Sequence, residues 1–159
     1  MYSKILRNGI LFTVYGGVYF VIECIYKHSI TDYRMFILGG LLGLWIGLIN
    51  NIFSFETNFI LQCIIGSISV TLVEAICGYQ WNIIEGLSIW NYSNLPLSGC
   101  GGQINFFFSI IWMFLSGICI ILDDFLRYKF FNEDKPYYKW LSFIIDKFNK
   151  IVVKILKKL

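Results

Sequence analysis

Two carboxylates stand where carboxylates are costly. Glu23 and Glu74 each lie inside a long apolar run, about one helical turn from its C-terminal end. Hydrocarbon tolerates such a group when it binds a proton, a cation or a cationic solute, or when it serves as general base toward a lipid-borne substrate. Lys27 follows Glu23 by four residues, the favourable order for a helical ion pair, so local pairing competes with function there. Glu74 has Val70, Thr71, Cys77 and Gly78 one turn away and no cation among them. It must be protonated, hydrated or paired with another helix, through Lys27 or His28. Gln103, Asn94, Asn105 and Tyr92 are the other polar residues expected to help bind a solute or ion around Glu74. With a single histidine, no CxxC pair and no clustered ligands, the chain offers no metal site, and no cofactor or catalytic residue is assigned.

The elements that must hold these groups are membrane helices. Of 159 residues, 57% are hydrophobic and only 14% charged, more apolar surface than a water-soluble chain of this size could hide. Runs of about 20 apolar residues, enough to cross roughly 30 Å of hydrocarbon, fall at 5–26, 35–53, 59–79 and 104–122. The first is too long for a secretory signal and has no small-residue cleavage site, so it is expected to stay in the mature protein. The expected fold is all-α: a four-transmembrane-helix bundle over residues 1–128, with a juxtamembrane amphipathic helix over 129–159. Lys and Arg concentrate at the two ends of the chain, with Lys4 and Arg7 at one and nine from Arg127 onward at the other, of 13 in all. An even number of spans then places both termini in the cytoplasm. The link 54–58 becomes cytoplasmic and the segment 80–103 extracytoplasmic. Glu23, Glu74 and Gln103 all come to the outer half, where a cavity open to the outside would satisfy them.

Three further patterns accompany the spans. Gly39, Gly43 and Gly47 repeat every four residues in the second span, a groove for close helix approach. The partner is a neighbouring span, with Gly16-Gly17 as a matching flat surface, or a second copy in a homo-oligomer. The outer segment reads as a short interfacial helix over 81–90, followed by turn chemistry at Asn94-Leu95-Pro96 and Ser98-Gly99-Cys100-Gly101-Gly102. Asp123-Asp124 marks the exit from the last span. Beyond it, Lys147, Lys150, Lys154, Lys157 and Lys158 line one face of a basic amphipathic helix suited to anionic lipid. No base-reading motif accompanies this charge, so nucleic acid is not an expected partner.

Taken together, Gly16-Gly17 with Glu23, Glu74, the Trp90-Asn91-Tyr92-Ser93-Asn94-Leu95-Pro96 loop, Gly102-Gln103-Ile104, Ser109 with Trp112, and Asp123-Asp124 with Arg127-Tyr128 carry a resemblance. Over roughly residues 9–128 the chain resembles the CmpB-like small four-span membrane family labelled putative ABC-transporter type IV. The family pattern has Cys and, two residues on, Pro where this chain has Asn105 and Phe107. The resemblance implies transport, in a bacterial cytoplasmic membrane. The chain itself carries no Walker motif, and a cytoplasmic link of about five residues is a small platform for an ATPase. Three functions follow in order: a small transporter or transporter permease subunit, a scaffold or accessory subunit binding partner protein and lipid, and a membrane-embedded lipid-modifying enzyme.

Overall fold

A computed structural model describes residues 4–53, 57–136 and 138. It is built of apolar helices running back and forth: α1 (Lys4–Lys27), α2 (Arg34–Gly47), a last turn α3 (Ile49–Ile52), α4 (Phe59–Gly78) and α5 (Phe106–Phe131). Three helical stretches, Lys4–Lys27, Phe59–Ile84 and Phe106–Phe131, are long and apolar enough to cross a membrane. At 14 residues, α2 rises about 21 Å and falls short alone. Leu48 keeps right-handed helical dihedrals, however, so the chain winds on into α3. The outward faces are apolar: Ile68, Leu72 and Ile76 on α4 and Phe114, Ile118 and Phe125 on α5 are all more than half exposed. A helix buried in water-soluble protein turns such residues inward; here the solvent they suit is lipid.

Small residues set how closely the helices pack. A Cβ on Gly43 would sit 2.4 Å from the Cβ of Tyr15, and one on Gly39 2.4 Å from that of Tyr19, so α2 presses its glycine stripe onto α1. Gly16 returns the contact against the Phe36 carbonyl, whereas Gly17 faces open space. Gly47 takes a different neighbour, the Asp123 carboxylate of α5. Between α4 and α5, Gly66 meets Ser116, the Ser67 hydroxyl donates to the Ser109 carbonyl at 2.6 Å, and the Thr71 and Ser109 hydroxyls bond at 2.9 Å. In hydrocarbon, where apolar burial gives no preference for helix over lipid, such close approach and interhelical bonds carry association.

Three boundaries differ from the sequence reading. The helical part of the outer segment is not a separate interfacial helix: α4 widens into one π-helical turn, Tyr79–Ile84, and stays helical to Ile84. The last helix starts at Phe106 rather than 104, because Ile104–Asn105 (β2) pairs antiparallel with Ser98–Gly99 (β1) and the Asn105 side chain caps the helix at the Phe107 and Phe108 amides. It also runs past Asp123-Asp124 to Phe131, where Asn132 adopts a left-handed conformation that closes it. Of the amphipathic helix expected over 129–159, residues 129–131 belong to α5 and 132–136 are not helical, because Asn132 ends α5; Lys147, Lys150, Lys154, Lys157 and Lys158 lie outside the described residues.

Candidate functional site

At the end of the bundle nearest the 85–105 loop, Glu74 is 4% exposed on α4. Both carboxylate oxygens are taken by neutral donors. Trp112 Nε1 of α5 donates to Oε2 at 2.8 Å, and the Tyr92 hydroxyl donates to Oε1 at 3.3 Å. No described Lys, Arg or His makes an ion pair with it. Glu23 on α1 stands close enough for its charge to act on Glu74 and Tyr92, and the Tyr19 hydroxyl is within its reach. Glu23 has its own cation: Lys27 Nζ lies 2.8 Å away and also donates to Thr31. The group therefore holds two carboxylates and one ammonium.

Tyr92 reaches Glu74 because the loop above it is tightly tied. Its ring stacks on Phe108 at 4.4 Å, and its amide donates to the Gly102 carbonyl at 2.7 Å. Gly102 adopts φ +82°, and a Cβ there would fall 2.8 Å from the Ser93 nitrogen, so only glycine permits this approach. Burial first, and then the charges of Glu74 and Glu23, push the Tyr92 phenol well above its ordinary range. It stays protonated and remains a donor.

The other expected site residues do not gather around Glu74. Gln103 is buried, but its Oε1 accepts from Asn82 at 2.7 Å, its Nε2 donates to the Gly101 carbonyl and its own carbonyl receives the Trp90 indole. Asn105 caps α5 and donates to the Pro96 carbonyl and the Ser98 hydroxyl at 2.8 and 2.9 Å. Asn94 is exposed at the loop tip. These groups satisfy one another within the loop, as buried polar atoms must, instead of lining an open polar cavity. Trp112 is the partner the spacing pattern missed: a tryptophan in an apolar run looks like packing until its N–H is placed against a carboxylate from another helix.

The opposite end holds a second buried cluster. Asp123, fully buried, accepts from the Tyr15 hydroxyl at 2.5 Å and from Arg127 Nε at 2.6 Å. Glu133, brought round by the turn at Asn132, pairs with both Arg7 and Arg127 and so joins the start of α1 to the end of α5. The Tyr138 hydroxyl donates to Asp124. Between the two clusters lies a cavity of about 140 Å³, lined almost wholly by apolar atoms of α1, α2 and α5, with Val70 of α4. Glu74 is absent from its wall; Tyr19 and Trp112 stand between.

Long apolar helices, lipid-suited outer faces and polar clusters buried between helices define a helical membrane protein. The sequence profile of the family described as putative ABC-transporter type IV matches residues 10–155, and the chain belongs to that family. The match extends beyond the core of the resemblance into the basic C-terminal segment. No curated protein and no solved structure matches the chain significantly.

Proposed function

We propose that the chain is a small transporter or transporter subunit of a bacterial cytoplasmic membrane, in which Glu74 binds a proton or a cationic group. The carrying observation is the charge imbalance at the loop end: among the described residues, two carboxylates share one lysine, and Glu74 has only neutral donors. An uncompensated carboxylate in such surroundings costs several kcal/mol, and a proton or cation removes that cost. In this reading α2 with α3 is a fourth span, and both termini face the cytoplasm. The loop end is then extracytoplasmic, and the Tyr92 and Trp112 donors close Glu74 off until they move. The basic lysines of the C-terminal segment attach to anionic lipid.

One observation favours the second reading, a scaffold or accessory subunit that meets a partner membrane protein or a second copy: Gln103 and Asn105 are fully engaged inside the loop. Vesicles reconstituted with the full chain and loaded with a pH-sensitive dye separate the two. Gradients of Na⁺, K⁺ and an organic ammonium salt are imposed in turn. Transport requires an internal-pH response to at least one of them, lost in Glu74→Gln. A response unchanged by that substitution makes Glu74 structural, and no response in either protein supports the scaffold.

A further inference from the structure

The apolar cavity is a groove with a direction. Its floor is the α2 glycine stripe at Gly39 and Gly43, and its walls are α1 and α5. It opens sideways toward lipid, since Val18 on one wall and Ile118 on the other are 48% and 61% exposed. Tyr15, tied to Asp123, closes one end. Tyr19 and Trp112, with ring centroids 5.8 Å apart, close the other. The Trp112 ring lines the groove while its indole N–H donates to Glu74 behind it. One end of an otherwise apolar groove is thus faced with aromatic rings and backed by a carboxylate.

We infer that this groove binds an amphiphilic organic cation, an ammonium group bearing an alkyl chain or a single aryl ring, which enters from the lipid between α1 and α5. The inference rests on the reading of Glu74 as a cation site and names its ligand class. The ammonium lies against Tyr19 and Trp112, where aromatic faces attract a cation, and the apolar body lies between Leu42 and Leu115, beside the glycines that α1 covers. Charge complementarity selects this occupant. A neutral acyl chain would fill the groove and leave Glu74 uncompensated, and an anionic amphiphile would set its charge beside two carboxylates. The cavity of about 140 Å³ takes one benzene-sized part of the ligand, and the remainder lies in the opening toward lipid.

The test is calorimetric titration of the full chain in lipid nanodiscs with phenylbutyl-trimethylammonium, with phenylbutanesulfonate as the counter-probe. The ammonium should bind, and the sulfonate should bind at least about tenfold more weakly. Val18→Trp fills the groove from its lipid-exposed wall without disturbing a packed residue, and Glu74→Gln removes the charge. Each should weaken ammonium binding about tenfold or more. Equal binding of the two probes, or of neither, overturns the inference. Loss in Glu74→Gln with full affinity in Val18→Trp also overturns it and leaves the cation site at Glu74 standing. Full affinity in Glu74→Gln with loss in Val18→Trp removes both.

Discussion

Trp112→Phe is the sharpest single perturbation, because it deletes one hydrogen atom's worth of chemistry at Glu74 and keeps a ring in the groove wall. The indole N–H lies 2.8 Å from Oε2, and among the described residues the only other donor on Glu74 is the longer Tyr92 hydroxyl bond at 3.3 Å. A hydrogen bond to a charged group contributes about 1.5–3 kcal/mol, against about 1 kcal/mol for a neutral pair. The smaller ring also loosens packing on Tyr19, so the substitution alone mixes two effects. A double-mutant cycle with Glu74→Gln separates them. Glutamine keeps an acceptor for the indole, so the packing loss cancels and the difference between charged and neutral bonds remains. The coupling should come out at about 0.5–2 kcal/mol. It is measured as reversible loss of helical circular dichroism when SDS is titrated into mixed micelles of the four proteins. At a pH where Glu74 is ionised, additivity within about 0.5 kcal/mol would mean that the indole does not serve the Glu74 carboxylate, and the charge imbalance would carry no weight.

Three other outcomes follow from the packing, each read by the same titration. Arg127→Met leaves Asp123 buried and uncompensated and should cost about 3–5 kcal/mol, most of it recovered when Asp123→Asn is added. Gly43→Ala drives a methyl into the Tyr15 Cβ and should cost about 1–3 kcal/mol, while Gly17→Ala, facing open space, should change stability by less than about 1 kcal/mol. Asn105→Ala removes the α5 cap and should cost about 1–2 kcal/mol, whereas Asn105→Asp keeps the acceptor for the Phe107 and Phe108 amides and loses only its donations to Pro96 and Ser98.

The sequence made the membrane helices legible because hydrophobic length is a one-dimensional property. Residues 59–79 are matched closely by α4. The end of the last helix was less legible: Asp123-Asp124 looked like an exit to water, yet Tyr15, Arg127 and Tyr138 satisfy both carboxylates inside the protein. Glu23 with Lys27 was readable from spacing, and the ion pair forms. Glu74 was readable as an anomaly, but its partners were not. Trp112 is 38 residues away and Tyr92 18, and no spacing rule links either to it. Gln103 and Asn105 were drawn toward Glu74 by shared depth along the bundle, whereas the loop's own backbone supplied nearer partners. The glycine stripe is legible as spacing alone; that Gly39 and Gly43 lie against Tyr19 and Tyr15 of α1, and Gly47 against Asp123 of α5, is visible only in the fold.

The central claim is that Glu74 is a proton- or cation-binding carboxyl in apolar surroundings. Dicyclohexylcarbodiimide, a hydrophobic reagent for carboxyl groups, tests it most directly when applied to the full chain in lipid and the adducts are mapped by mass spectrometry. Capture is expected at Glu74, suppressed as phenylbutyl-trimethylammonium saturates the groove and untouched by the sulfonate. Absence of an adduct at Glu74, or capture indifferent both to pH and to every cation tried, would contradict it.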